Sequence, residues 1–130
     1  MDLKDKPQIT KNTNFWQSLG HAKDGLIDLV TEERNFRSHL VSAFLVILAG
    51  LLFRVSLIDW AWLFLVIFLV IIAETINTII ENVVDLVVGK RYNVIAKRIK
   101  DIAAGGVLIT SGFAVLVGCI IFVPLILKWF

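Results

Sequence analysis

The hydrophobic positions of the chain form one periodic segment followed by three long apolar runs. From Phe15 onward, apolar residues recur on one side of a helix at about 100° per residue, and polar residues occupy the opposite side. The apolar side carries Phe15, Leu19, Ala22, Leu26 and Leu29, and the polar side carries Gln17, His21, Asp24 and Asp28. This pattern predicts an amphipathic helix over about residues 15–32 that lies along a membrane surface. The polar residues 1–13 before it are predicted to form a disordered tail.

The three apolar runs predict three transmembrane helices. They cover residues 40–53, 60–73 and 102–127. The first two are shorter than the roughly 20 residues that cross a hydrocarbon core, so their helices must extend into flanking residues. We therefore predict spans over about residues 36–57, 60–88 and 100–127, within one membrane domain covering residues 14–130. The fold class is an all-α membrane protein with a surface helix and three spans.

Composition agrees with this class and excludes several others. The chain is 58% hydrophobic and only 18% charged, outside the usual range of soluble domains. A single cysteine, Cys119, excludes a disulfide framework and a cysteine-based zinc site. The N-terminus lacks the apolar core of a signal peptide. The net charge of +2 says little about partners, and no nucleic-acid partner is expected.

The basic residues predict an orientation, because cytoplasmic segments collect Lys and Arg. Eleven of the 13 basic residues lie in the N-terminal segment or in the loop between the second and third spans. The other two, Arg54 and Lys128, lie at the opposite ends of the spans. We therefore expect a cytoplasmic N-terminus and a C-terminus outside.

The second span carries a stripe of polar residues. With about 100° per residue, Asn77, Thr78, Glu81 and Asp85 all lie within about 60° of the direction of Glu74. At 1.5 Å per residue from the interfacial Trp60, Glu74 lies about 21 Å deep and Glu81 about 31 Å deep, against a core of about 30 Å. A lipid headgroup can therefore reach Glu74, and a soluble nucleotide can reach Glu81. Buried acids of this kind are costly, which favours a functional site.

Two other interpretations of the stripe remain open. The acids could fasten the helix bundle by pairing with Arg37 and Lys100, and for Asp85 alone a structural or solvated role has nearly equal weight. The whole stripe could instead carry protons in a non-catalytic membrane subunit. His21 and His39 are interpreted as solvent or interface groups, because neither has a partner at metal-ligand spacing.

More charge gathers at the same predicted depth. Glu33 lies before the first span, and Lys100 with Asp101 begins the third. Carboxylates from different helices, completed by phosphate oxygens, suit Mg²⁺ because it takes few protein ligands and keeps several waters. A nearby lysine suits phosphate as a point charge. The glycine-rich nucleotide loop G-x-x-x-x-G-K-[ST] is absent.

Three motifs, EERNFRSH, ETINTIIENVVDL and IKDIAAGGVLITSG, occur in this order. The chain thereby resembles the bacterial diacylglycerol kinase and undecaprenol kinase family of small membrane kinases. The details EERN, VSLIDW, IENVVDL and SGFA are more similar to the undecaprenol kinases. The resemblance implies a homotrimer in the bacterial plasma membrane, with active sites shared between subunits. It also implies ATP, Mg²⁺ and phosphorylation of a lipid alcohol, with undecaprenol favoured and diacylglycerol as the alternative.

The resemblance also implies roles for individual residues. Glu74 matches the family's general base, and Glu33 and Glu81 match its metal-binding glutamates, which also serve the nucleotide. The remaining nucleotide contacts are expected at Arg91, Tyr92, Asn93, Lys100 and Asp101, and supporting roles at Asn77, Arg37 and Asp85. One departure is Asn14, where some relatives carry an arginine.

Overall fold

The computed structural model describes residues 14–130 as four helices. They are α1 (Phe15–Glu32), α2 (Arg34–Leu52), α3 (Leu57–Val88) and α4 (Val94–Leu127). The last three are long and apolar enough to cross a membrane. These helices confirm the all-α class with one additional helix and three candidate spans. The predicted disordered tail, residues 1–13, lies outside the described residues.

Polar side chains begin three of the helices. The Asn14 side chain accepts a hydrogen bond from the backbone N–H of Gln17 at 2.8 Å, so this residue caps α1. Ser56 and Asp59 form a reciprocal capping box at the start of α3, with distances of 3.1 and 3.3 Å. The Asn93 side chain accepts hydrogen bonds from the first backbone amides of α4. Such caps satisfy N–H groups that have no partner within the helix.

The helix ends differ from the predicted spans in two places. The α2 helix gains its length from residues 34–36 and ends at Leu52, rather than continuing to residue 57. The chain turns there through Arg54, whose φ of 51° is left-handed and ends the helical conformation. The α4 helix begins at Val94 instead of about residue 100, because Asn93 caps it there. The loop between α3 and α4 is correspondingly short.

The α3 helix lies at the centre of the bundle. It packs against α4 along much of its length and against α2, whereas α1 contacts α2. One end of the bundle has an apolar core of Val55, Leu63, Val66, Val117 and Ile121. Many large apolar side chains elsewhere are exposed. Exposed apolar faces of this extent are the expected property of helices that contact lipid or another subunit.

The α1 helix has no buried residue. Its C-terminal end is joined to α2 by Arg37, whose guanidinium group donates hydrogen bonds to the carbonyl oxygens of Val30 at 3.0 Å and Thr31 at 2.7 Å. These carbonyls belong to the last turn of α1, where the helix itself offers them no partner. Arg37 therefore has a structural role at the junction between α1 and α2.

Candidate active site

Three polar side chains are buried in the middle of α3. Glu74 is 3% exposed, and Asn77 and Thr78 are each 5% exposed. Their spacing of three and four residues places them on one face of the helix, as the sequence predicted. The unbroken α3 helix also carries Glu81 one further turn along. An ionisable group held inside a membrane bundle marks a functional site by default.

A cavity of about 330 Å³ lies beside this face, between α2, α3 and α4. The α3 helix contributes Glu74, Asn77 and Glu81 to its wall, and α2 contributes Asn35, Ser38 and His39. The α4 side of the cavity is formed by Ala104, Val107, Leu108 and Ser111. The polar groups of two helices thus face one space that is large enough for a small polar group or several waters.

The amide of Asn77 leaves a buried acceptor at this cavity. Its Nδ2 donates a hydrogen bond to Glu81 Oε1 at 3.2 Å. Its Oδ1 is buried and has no hydrogen-bond partner within the described residues. Buried polar atoms without a partner are rare because each costs about 1–3 kcal/mol. Asn77 Oδ1 is therefore suited to accept a hydrogen bond from a hydroxyl group or from a bound water.

His39 is a site residue that the sequence analysis missed. Its Nε2 lies 3.8 Å from Glu74 Oε2, and its side chain is only 24% exposed. A signal was available, because Asn35, Ser38, His39 and Ser42 recur at helical spacing and form a polar stripe on α2. That stripe faces the acids of α3 across the cavity. The spacing of metal ligands alone therefore does not indicate the role of His39.

A second cavity, of about 340 Å³, is lined mainly by apolar residues of α2, α3 and α4. His39 and Ser111 line both cavities. Val46, Val66 and Val70 are among the apolar residues of its wall. The polar cavity, so named for the side chains of α2 and α3 in its wall, thus shares His39 and Ser111 with an apolar one, an arrangement suited to a ligand with a polar end and a hydrocarbon chain.

Two ion pairs lie near the cytoplasmic end predicted for α3. Lys100 Nζ of α4 is 2.6 Å from Asp85 Oδ1 of α3, and this pair joins the two helices. Lys97 Nζ is 2.5 Å from Asp101 Oδ2 within α4. Bundle fastening therefore accounts for Asp85. Neither cation proposed for fastening pairs with Glu74 or Asn77, because Lys100 is bound to Asp85 and Arg37 bonds to backbone carbonyls.

The predicted nucleotide contacts at residues 91–93 lie in the short loop between α3 and α4. Tyr92 is 80% exposed. The Asn93 side chain is used as the cap of α4, with its Oδ1 2.8 Å from Ile95 N. Arg91 and Tyr92 are thus accessible to a soluble ligand, and their contact with nucleotide stays a prediction.

The two predicted metal ligands lie on different elements, and their joint role stays a prediction. Glu33 lies at the junction of α1 and α2 and does not line the cavity that contains Glu81. Across residues 14–130, the structure has no group of three or more His, Cys, Asp or Glu side chains suited to a metal ion. The carboxylates of Glu81 and Glu33 are nevertheless oxygen donors of the kind that Mg²⁺ takes, and it needs few protein ligands when waters and phosphate complete its shell.

Comparison with known proteins identifies the family. A family model described as prokaryotic diacylglycerol kinase matches residues 20–122. An undecaprenol kinase from Bacillus subtilis is 36% identical over 124 residues, which cover 95% of this chain and 98% of the relative. A diacylglycerol kinase from Synechocystis is 40% identical over 121 residues, covering 87% of this chain and 69% of the relative. A diacylglycerol kinase from Escherichia coli is 31% identical over 109 residues, which cover 84% of this chain and 88% of the relative. The chain belongs to the prokaryotic diacylglycerol kinase family, a family of membrane lipid kinases.

Proposed function

We propose that this protein transfers the γ-phosphoryl group of ATP to a membrane lipid alcohol, and that its preferred acceptor is undecaprenol. The observation that carries the proposal is that an apolar cavity shares His39 and Ser111 with the polar cavity that contains the buried Glu74. A lipid alcohol has this combination of a hydroxyl group and a hydrocarbon chain. The B. subtilis relative, which the chain matches over nearly its whole length, is named undecaprenol kinase. Diacylglycerol is the second candidate, because other relatives are named diacylglycerol kinases.

In the proposed reaction, the hydroxyl oxygen of the lipid attacks the γ-phosphorus of ATP and the bond to the β-phosphate oxygen breaks. Glu74 accepts the hydroxyl proton, so the products are a lipid phosphate and ADP. Most of the catalysis in phosphoryl transfer comes from positioning and charge stabilisation, and a base adds about 10²–10⁴-fold. Asn77 Oδ1 is a suitable acceptor for a second contact to the lipid hydroxyl or to a bound water. Lys100 of α4 pairs with Asp85, which lies one turn of α3 beyond Glu81. From there its ammonium group would stabilise the transferring phosphoryl group.

Mg²⁺ would be held by Glu81 and Glu33, with phosphate oxygens and water as its other ligands. When bound, it would neutralise charge on the phosphates of ATP. The free oxygen of Glu81 is compatible with this, because the hydrogen bond from Asn77 uses only Oε1. Glu33 would come from the α1–α2 junction.

A homotrimer, with each active site shared between subunits, is part of the proposal. The exposed apolar faces of α2, α3 and α4 support it. So do the glycines of α4: a Cβ added at Gly105, Gly106, Gly112 or Gly118 would meet nothing within 4 Å in the single chain. Small residues let membrane helices approach closely, and these faces are open to a neighbouring helix. We place the N-terminus in the cytoplasm and the C-terminus outside, from the distribution of Lys and Arg.

The acceptor can be identified by direct competition. Purified protein in anionic phospholipid vesicles receives γ-³²P-labelled ATP, Mg²⁺, and undecaprenol and diacylglycerol at equal mole fractions. The organic extract is then resolved by thin-layer chromatography. We expect label in undecaprenyl phosphate at least about tenfold above label in phosphatidic acid, a difference of about 1.4 kcal/mol in transition-state binding. Predominant labelling of phosphatidic acid would assign diacylglycerol as the acceptor. Absence of organic-soluble label would favour the non-catalytic interpretation of the acid stripe.

A further inference from the structure

We propose that His39 is a positioning residue that holds the Glu74 carboxylate in its reactive orientation, at the point where the lipid chain enters the polar cavity. This inference rests on the proposed function. It assigns a role to His39, the last residue of the motif EERNFRSH, to which the family resemblance gave no role. Three observations support this role: the contact with Glu74, the other partners of the α3 stripe, and the presence of His39 in the walls of both cavities.

The first observation is the distance between the two side chains. His39 Nε2 lies 3.8 Å from Glu74 Oε2, within ion-pair range but beyond a direct hydrogen bond. Catalytic hydrogen bonds are often long before substrate binds and tighten in the complex. A small rotation of the imidazole ring would close the gap. An N–H donated to Oε2 would then leave Glu74 Oε1 free to receive the proton of the lipid hydroxyl.

The second observation is that the neighbouring polar groups are engaged elsewhere. The Asn77 amide donates to Glu81, one turn further along α3. The Lys100 ammonium group is bound to Asp85. Among the described residues, His39 is the ion-pair partner recorded within 4 Å of the Glu74 carboxylate. The orientation of a buried base with 3% exposure therefore depends on a histidine from another helix.

The third observation is that His39 lines both cavities. A lipid whose chain occupies the apolar cavity would bring its hydroxyl group past His39 before the group reaches Glu74. The nucleotide would approach from Glu81 and Lys100, at the far end of the stripe. Loss of His39 should therefore lower turnover and leave the KM for ATP almost unchanged.

The test is a double-mutant cycle that separates positioning from packing. His39→Gln keeps an N–H donor on a side chain of similar length, and His39→Met removes the donor. We expect His39→Met to lower kcat with the lipid alcohol by about 10-fold to 10²-fold, the scale of a displaced catalytic group. His39→Gln should retain at least about a third of the wild-type kcat. In both variants the KM for ATP should stay within about twofold of wild type.

The same two substitutions are then made in the Glu74→Gln background. If His39 acts through Glu74, the two double variants should have equal residual turnover, because groups that act as a unit are non-additive. Should His39→Met not assemble, His39→Leu is a second variant without a donor and is judged by the same criterion. His21→Ala, on the exposed face of α1, is the matched control and should behave as wild type.

The outcomes are distinguishable. Two results would overturn the positioning role while the wild-type kinase activity stands. One is an equal kcat for His39→Gln and His39→Met. The other is a fold-loss of kcat from His39→Met that is the same with Glu74 and with Glu74→Gln. Wild-type protein that forms no labelled lipid would overturn the proposed function, and the role of His39 would fall with it.

Discussion

The contact between Gly50 and Trp60 makes the packing of α2 on α3 directly testable. Gly50 is buried in α2, and a Cβ added there would lie 2.7 Å from Cη2 and 3.0 Å from Cζ2 of the Trp60 ring. Carbon atoms in favourable contact lie about 3.5–4.0 Å apart, so the ring would have to move by about 1 Å. Trp60 cannot swing away freely, because its ring is stacked on Phe64 with centroids 5.4 Å apart.

Two opposing terms set the effect of Gly50→Ala on the free energy of unfolding. Alanine favours a helix over glycine by about 0.8–1.0 kcal/mol. Overpacking a tight contact costs about 1–3 kcal/mol. We therefore expect a net destabilisation of about 1 kcal/mol, with about 2 kcal/mol as the upper end. In the Trp60→Leu background the clash is gone, and Gly50→Ala should become stabilising by up to about 1 kcal/mol.

The assay is an SDS titration of purified protein at fixed protein and detergent concentrations, followed by near-ultraviolet circular dichroism. Fixed concentrations are needed because an oligomer's stability depends on them. Gly20→Ala is the control, since a Cβ at this position in α1 meets nothing within 4 Å. If Gly50→Ala raised stability as much as Gly20→Ala did, in protein that retains Trp60, the reasoning about this contact would be refuted.

Three further predictions concern the nucleotide, the metal and a helix cap. Lys100→Met should raise the KM for ATP by about tenfold or more, because it removes a point charge proposed to contact phosphate, whereas Asp85→Asn should change that KM by less than about threefold. Initial rates over a range of ATP concentrations measure both KM values, and equal effects of the two substitutions would remove Lys100 from the nucleotide site. Chelation with EDTA should abolish turnover and added Mg²⁺ should restore it, whereas turnover that survives chelation would exclude the metal role. Ser56→Ala should lower the free energy of unfolding by about 1 kcal/mol, because the α3 capping box is lost, and it should leave the KM for ATP unchanged. An SDS titration with the same midpoint as wild type would contradict this prediction.

Much of the fold and of the α3 stripe could be predicted from periodicity and hydropathy. Glu74 and Asn77 share a helix, so their spacing alone places them on one face. Helix ends were less predictable, because α2 stops where Arg54 adopts a left-handed backbone conformation and α4 starts where Asn93 caps it. Those events depend on local hydrogen bonds and dihedral angles, which a hydropathy pattern does not contain.

The His39 contact shows a second limit of sequence reasoning. His39 and Glu74 lie on different helices, and their approach depends on how α2 and α3 are aligned along their axes. Periodicity indicates which side of a helix is polar, but it does not set the register between two helices. The pairing of Lys100 with Asp85 instead of with Glu74 or Glu81 has the same origin.

The central claim is that Glu74 takes the proton of a lipid hydroxyl, and Glu74→Gln tests it most directly. Glutamine keeps the shape of the side chain and one acceptor oxygen but cannot act as a base. The measurement is the single-turnover rate of label transfer from γ-³²P-ATP to undecaprenol in vesicles, with protein whose oligomeric state matches wild type by size-exclusion chromatography. We expect the rate to fall by about 10²-fold or more while ATP binding is retained. A rate within about threefold of wild type would contradict the assignment of Glu74 and the account built on it.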